Sequence, residues 1–237
     1  MTHGFLFELA LAVIPVILAI TLHEAAHGYA ALALGDTTAR DAGRLSLNPI
    51  RHIDRVGTIL LPGFLLITQL LLPPHRISFM FGWAKPVPVS AYRFRDPRRG
   101  MALVAIAGPL MNFFLAWLAA LVFPLTALPG TSSAIFAQFL IYFMLSNLVL
   151  GLFNLLPIPP LDGGRIAVGV LPLAVARVWA SMERAGLVIV LLVIFVLPRL
   201  IGVDPVGQAL QTVLPWAFRT IFWLAGKPVD GLDDATI

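Results

Sequence analysis

An all-α polytopic membrane protein is the fold class this sequence predicts, on three observations. Hydrophobic residues make up 59% of the 237 positions and charged residues only 12%, about half the charged fraction of an ordinary soluble domain. Apolar runs near or above the ~18 residues of a spanning helix recur along the chain. The basic residues lie in the loops beside these apolar segments. The apolar runs use most of the length, so one membrane-embedded domain over 1–237 is expected, with a core over about 5–180 and one or two additional C-terminal helices over about 185–225.

The first helix is expected over 5–34, closed by Gly35-Asp36. It lacks a cationic leader and runs directly into polar residues, so it reads as a retained helix rather than a cleaved signal. Residues 37–55 are polar and carry Arg40, Arg44, Arg51 and Arg55. The apolar run 56–72 is short for a span, broken by Pro62-Gly63 and closed by Pro73-Pro74. Apolar and aromatic residues from Ile77 to Val89 predict a short membrane-associated β segment, which Pro86 and Pro88 confine to an edge or a bend.

An apolar helix follows over 101–123 and contains Gly108-Pro109-Leu110-Met111-Asn112; after the uncharged linker 124–133, another covers 134–156. It ends in Asn154-Leu155-Leu156-Pro157-Ile158-Pro159-Pro160-Leu161-Asp162-Gly163-Gly164. A further helix is expected over 185–200, and the apolar stretch 208–225, interrupted by Arg219, either spans or lies in the interface. The net charge of +4 comes from basic residues in loops beside apolar segments. That pattern is the positive-inside distribution of a membrane protein, and no nucleic-acid partner is expected. With no cysteine there is no disulfide framework and no thiolate metal site.

The chemistry is concentrated in His23-Glu24-Ala25-Ala26-His27. Helical spacing puts His23 and His27 on one face, where two imidazoles can share a zinc ion, with Glu24 as candidate general base. A carboxylate and two imidazoles inside an apolar helix are expensive, which makes them a functional site by default. A catalytic zinc keeps three protein ligands and an open position. Glu8 lies about 22 Å from His23 along a helix axis, too far to share the ion. Asp162 is the candidate third ligand, because it follows a proline-rich break that stops a helix, and such backbone at membrane depth must face protein or a water-filled cavity. Gly163-Gly164 would let the chain turn sharply after it.

These three signatures, HEAAH in a first apolar helix, GPLMN in a later one and NLLPIPPLDG after a third, together resemble the site-2 protease family of intramembrane zinc metalloproteases. The stretch GWAKPVPV, with LNPIRHID before it, is similar to the compact branch without a PDZ domain. Where that branch commonly has a proline after HID this chain has Arg55, leaving the roles of His52 and Asp54 open. The resemblance implies that His23, His27 and Asp162 bind one Zn2+ per chain and that Glu24 activates the attacking water. It also implies that Asn112 or Asn154 positions the substrate or stabilises the oxyanion; a role in helix packing is the competing reading for each.

A shared ion constrains topology. His23 and His27 lie in the C-terminal half of their helix and Asp162 follows the C-terminal end of its own, so the two helices must cross in the same direction. The helix at 101–123 supplies the one return crossing, and 56–72 is therefore expected to be re-entrant or interfacial, giving a core of three transmembrane helices around the zinc site. Positive residues on both sides of 56–72 agree, and put the active site towards the cytoplasmic face of a prokaryotic cell membrane.

The expected partners are the lipid bilayer and a transmembrane protein substrate, which must unwind before it can be cut. Gly82, Trp83, Lys85, Val87 and Val89 are the candidate substrate-binding residues, offering a strand edge for β-augmentation; a passive loop stiffened by prolines is the alternative. A non-catalytic metal-binding scaffold would not need Glu24, and a metal transporter would show inverted repeats or several midplane carboxylates, which are absent here.

Overall fold

The computed structural model describes residues 4–71, 82–127 and 133–226. Helix α1 (Phe5–Ala33) has 29 residues, about 43 Å at ~1.5 Å per residue and ample for a hydrocarbon core of ~30 Å. It ends where Gly35 adopts φ +98°. The Gly35 N–H then donates to the Leu32 carbonyl and the Asp36 N–H to the Ala31 carbonyl, a Schellman closure that only a residue tolerant of left-handed backbone makes cheaply.

A single turn, α2 (Thr38–Asp41), leads to a 3-10 turn at Pro49–His52 and a π-helical turn at Arg55–Leu60 that continues into α3 (Leu61–Leu71). Apolar helix Arg55–Gln69 is shorter than the four helices that, among the described residues, are long and apolar enough to cross a membrane: Phe7–Ala33, Pro97–Thr126, Ala134–Asn154 and Leu173–Ile201. At ~1.5 Å per residue it reaches about 23 Å, short of a full crossing.

Helix α4 (Pro97–Val122) is opened by Asp96, whose carboxylate accepts from the Arg98 and Arg99 N–H groups, and α5 (Ser133–Asn154) packs along it. An irregular stretch over 155–161 separates α5 from α6 (Asp162–Val170). The long helical stretch Leu173–Ile201 is made of α7 (Leu173–Ser181), a 3-10 turn, α8 (Gly186–Leu191), a π turn and α9 (Leu197–Ile201). It begins twelve residues before the helix expected at 185–200, because Glu183 and Arg184 sit in its 3-10 turn, with Glu183 paired to Arg165 of α6 at 2.7 Å. Last comes α10 (Pro205–Leu224).

The centre of the fold is α4, with α1 and α5 against it. Its buried face carries Ala105, Gly108, Asn112, Ala116 and Ala119, small residues at helical spacing that let neighbouring backbones come close. Contacts of Asn112 with Ala19 and His23, and of Val104 with His27, show α1 running antiparallel to α4. At the other end, Leu140, Met144 and Leu148 of α5 join Ala116 and Ala120 of α4. Phe218, Ile221 and Phe222 of α10 belong to the same cluster.

One expectation changes. The described residues contain no strand; the stretch 82–90 is extended but unpaired with any other strand, and residues 72–81, where the expected β segment begins, lie outside the described residues. Its N–H groups go to turns instead, Trp83 to the Gly57 carbonyl at 3.1 Å and Lys85 to the His52 carbonyl at 2.9 Å. Pro86 and Pro88 have no N–H to offer a ladder.

Candidate metal centre

Two helices, α1 and α6, bring three polar side chains to one point. The His23 Nε2 and Asp162 Oδ2 atoms are 3.1 Å apart and His27 Nε2 lies 3.3 Å from the same oxygen; the two Nε2 atoms are 3.1 Å from each other. A zinc ion with ligands at 2.0–2.2 Å in a tetrahedron has donor–donor edges of about 3.3–3.5 Å. The triangle seen here is within a few tenths of an ångström of one face of that tetrahedron. All three side chains are buried, at 5%, 9% and 6% exposure for His23, His27 and Asp162.

The hydrogen-bond partners around the triangle suit a cation within it. His23 Nδ1–H donates to Asn112 Oδ1 at 2.6 Å and His27 Nδ1–H to the Val104 carbonyl at 2.8 Å. In the neutral rings both Nε2 atoms therefore carry lone pairs, and the contact between them is not a hydrogen bond. Asp162 Oδ2 is buried with no hydrogen-bond partner. Facing lone pairs in an apolar interior repel one another unless a proton or a metal ion sits between them, and two imidazole nitrogens and a carboxylate oxygen at this spacing, each ring held from behind, are a donor set that fits zinc.

The sequence explains the local geometry. His23, Glu24 and His27 ride on the last turns of α1. Gly108 of α4 clears the space for both imidazoles: a Cβ there would lie 2.6 Å from Cε1 of each ring. Asp162 is in the first turn of α6, where the helix dipole favours a carboxylate. Gly163 and Gly164 do not form the sharp turn expected of them. Both are helical, and their role is clearance, since side chains would strike the Leu155 and Leu156 carbonyl oxygens and the backbone of Ile158 and Pro159.

Glu24 is half-buried beside the ligands, and its Oε2 accepts the Val87 N–H at 3.0 Å. That bond ties the extended stretch 82–90 to the carboxylate. Val87 is buried at 7% exposure, close to Gly28 of α1, and Val89 packs towards Ala31, Phe94 and Val104. The ring of Trp83 lies on Gly57, Gly82 is exposed next to the Gly57 carbonyl, and Lys85 is exposed with its own carbonyl accepting from Arg44. At the far end of the stretch, buried Asp36 accepts the Ser90 N–H at 2.6 Å. His52 Nε2–H donates to the Ser46 carbonyl at 2.8 Å, and the Asp54 carboxylate caps the π turn by accepting from the Val56 and Gly57 N–H groups.

Asn112 is fully buried, and both ends of its amide are used: Oδ1 by His23 and Nδ2 by Asn147 Oδ1 at 2.8 Å. It stands behind a ligand rather than in an open space. Asn154 is half-buried and donates to the Leu150 carbonyl of its own helix at 3.0 Å. Sequence reasoning missed Gly108, Asn147 and Asp36. The spacing of Gly108 and Asn112, one helical turn apart, was the available signal for the first, and a lone amide within an apolar helix was the signal for the second.

Comparison with known proteins points the same way. Residues 125–197, which include Asp162, match the model of peptidase family M50. Two relatives each bear the name “Putative zinc metalloprotease”. YwhC of Bacillus subtilis (strain 168) is 42% identical over 191 residues, covering 78% of this chain and 80% of that protein. Rip2 of Mycobacterium tuberculosis (strain ATCC 25618 / H37Rv) is 31% identical over 213 residues, covering 88% of this chain and 70% of that protein. No solved structure matches the chain significantly. A buried donor triangle of zinc dimensions among apolar helices, and this extent of likeness to named zinc metalloproteases, lead to one conclusion: the chain belongs to peptidase family M50, as a multi-pass membrane zinc metalloprotease of the site-2 type.

Proposed function

We propose that this protein is an intramembrane endopeptidase that cuts peptide bonds in or near transmembrane segments of membrane-protein substrates. His23, His27 and Asp162 hold the single zinc ion and Glu24 is the general base. The observation that carries this reading is the buried triangle of two imidazoles and a carboxylate, with a second, half-buried carboxylate alongside. A zinc ion held there supplies Lewis acidity, bringing water to a pKa of ~7 and polarising a carbonyl.

The chain's own residues do the rest. Glu24, one oxygen anchored by the Val87 N–H, takes a proton from the attacking water with the other and passes it to the leaving amine. Asn154, at the C-terminal end of α5 and only half-buried, exchanges its bond to Leu150 for one to the developing oxyanion. Asn112 holds His23.

Gly82, Trp83, Lys85, Val87 and Val89 form the wall along which an unwound substrate lies. The N–H groups of Trp83, Lys85 and Val87 are already donated within the protein. A substrate strand would donate its own N–H groups to carbonyls of this wall, sharing those of Trp83 and Lys85 with Thr58 and Arg44. Residues 1–237 act as one membrane-embedded unit in a prokaryotic cell membrane, with the active site towards the cytoplasm. Arginines on either side of 55–71 support that orientation.

The test pairs zinc analysis with cleavage of a model transmembrane substrate. Glu24→Gln is expected to retain stoichiometric zinc and lose about 10²–10⁴-fold in cleavage rate. Zinc-free wild type, or an active Glu24→Gln, refutes the assignment. For the topology, single cysteines at Arg51 and Arg95 in this cysteine-free chain should label from the same side of the membrane; opposite sides would refute it.

A further inference from the structure

A chain of amides links the metal centre to a helix that supplies no ligand. Asn147 of α5 is fully buried, as is Asn112 of α4. Its Nδ2 donates to the Phe143 carbonyl at 2.8 Å, and its Oδ1 accepts from Asn112 Nδ2 at 2.8 Å. Asn112 Nδ2 also lies 3.4 Å from the Ala19 carbonyl, and its Oδ1 faces His23 Nδ1 at 2.6 Å. Gly151, one turn after Asn147, brings the α5 backbone close to Asn112: a Cβ there would sit 3.3 Å from Asn112 Cβ.

Each link in this chain has only one workable direction. The Phe143 carbonyl can only accept, so the nitrogen of Asn147 must face it and the oxygen must face Asn112. Asn112 must then present its nitrogen to Asn147 and Ala19, which leaves its oxygen for His23. An amide oxygen can only accept, so His23 must carry its proton on Nδ1. The lone pair is thereby placed on Nε2, the atom in the donor triangle.

We infer that Asn147 is a positioning residue of the metal centre, which sets the tautomer and ring orientation of His23 through Asn112. The inference rests on His23 being a zinc ligand. Without Asn147 the Asn112 amide loses the stronger of the two contacts that distinguish its ends, leaving only the Ala19 carbonyl at 3.4 Å. It can then flip and offer its NH2 to His23 Nδ1, which favours the tautomer with a proton on Nε2, where the metal must bind. Outer partners of this kind change metal affinity by about 10–100-fold.

The experiment measures zinc affinity of the full-length protein in detergent at fixed pH, by competition with a chromogenic chelator. Thermal stability of the metal-free protein is measured alongside. Asn147→Leu should weaken zinc binding about 10–100-fold. Asn147→Ser, which removes the amide without adding apolar bulk, should do the same. Asn147→Asp should stay within about threefold of wild type, because the neutral acid that burial favours donates O–H to Phe143 and still accepts from Asn112. Leu148→Ala, the fully buried neighbour outside the chain, should lower thermal stability and leave zinc affinity unchanged. A folded Asn147→Leu or Asn147→Ser with wild-type affinity overturns the inference, as does an equal loss of affinity in Leu148→Ala. His23→Ala separates the two levels: if it too binds zinc like wild type, the ligand assignment itself has failed.

Discussion

Gly108 is the position where one methyl group should cost the most. A Cβ at residue 108 would lie 2.6 Å from His23 Cε1 and from His27 Cε1 and Nε2. Carbon atoms normally sit ~3.5–4.0 Å apart, so both rings must retreat by about 1 Å. Neither can do so freely. His23 is held by Asn112 at 2.6 Å and His27 by the Val104 carbonyl at 2.8 Å, and both partners belong to α4, the helix that carries Gly108. Moving α1 away from α4 by ~1 Å stretches both bonds beyond hydrogen-bond range. Gly→Ala in a helix interior is otherwise favourable by ~1 kcal/mol, against an overpacking cost of ~1–3 kcal/mol. The fold should survive with little net change while the metal centre loses both outer anchors. Gly108→Ala is therefore expected to weaken zinc binding by at least ~100-fold and to abolish cleavage of a model transmembrane substrate. Chelator competition and substrate cleavage in detergent read the two effects. A Gly108→Ala protein that binds zinc within threefold of wild type would refute the reasoning, because the rings would then have room that the structure denies them.

The extended stretch and its anchors give further predictions. Gly57→Ala pushes a methyl into the Trp83 ring and should cut cleavage by about 100-fold, the scale of a ~1 Å misplacement. Zinc content should remain stoichiometric, and a loss of zinc would mean the stretch supports the ligands instead. Burial pushes the Asp36 carboxyl up, but hydrogen bonds from Thr38 and Ser90 and the nearby Arg93 outweigh it and hold the group below its ordinary 3.8. A depressed folded-state value stabilises the protein fully above pH 3.8, and the contribution is lost as pH falls through the lower value. Melting temperature should therefore drop on acidification below that point, and Asp36→Asn should lower it at neutral pH and flatten the acid drop; an unchanged acid profile would refute the role of Asp36.

Much of the site could be read from residue order because its chemistry is local. His23 and His27 are one helical turn apart, so their shared face follows from spacing alone, and Gly35 marks the end of α1 by its need for a left-handed backbone. Asp162 stood out because carboxylates are scarce among apolar helices. The parts that could not be read depend on which helix faces which. Nothing in α4 alone says that Gly108 faces two imidazoles, or that Asn112 spends its amide on His23 and Asn147. The pair Gly163-Gly164 reads equally as a turn or as a close approach, and only the neighbouring carbonyls of Leu155 and Leu156 decide it. The apolar stretch ending at Val89 has strand-like composition, yet its N–H groups find turn carbonyls and a carboxylate first.

Helix α4 supplies no ligand and yet organises the centre. It gives clearance through Gly108, an acceptor for His27 through the Val104 carbonyl and an acceptor for His23 through Asn112. Its buried small residues set how closely α1 and α5 approach. Ligand geometry is therefore tied to interhelical distance, so that anything widening the α1–α4 gap acts on the metal and on packing together. The reverse also follows. The His23 and His27 Nε2 atoms and the Asp162 oxygen lie 3.1–3.3 Å from one another, so a cation shared among them would draw α1 and α6 together while α4 holds both rings from behind. With His23, His27 and Asp162 as ligands, zinc binding would contribute to the free energy that closes the helical core, while the stretch 82–90 is fastened to the side of that core by Glu24 of α1 and Asp36 just beyond its end.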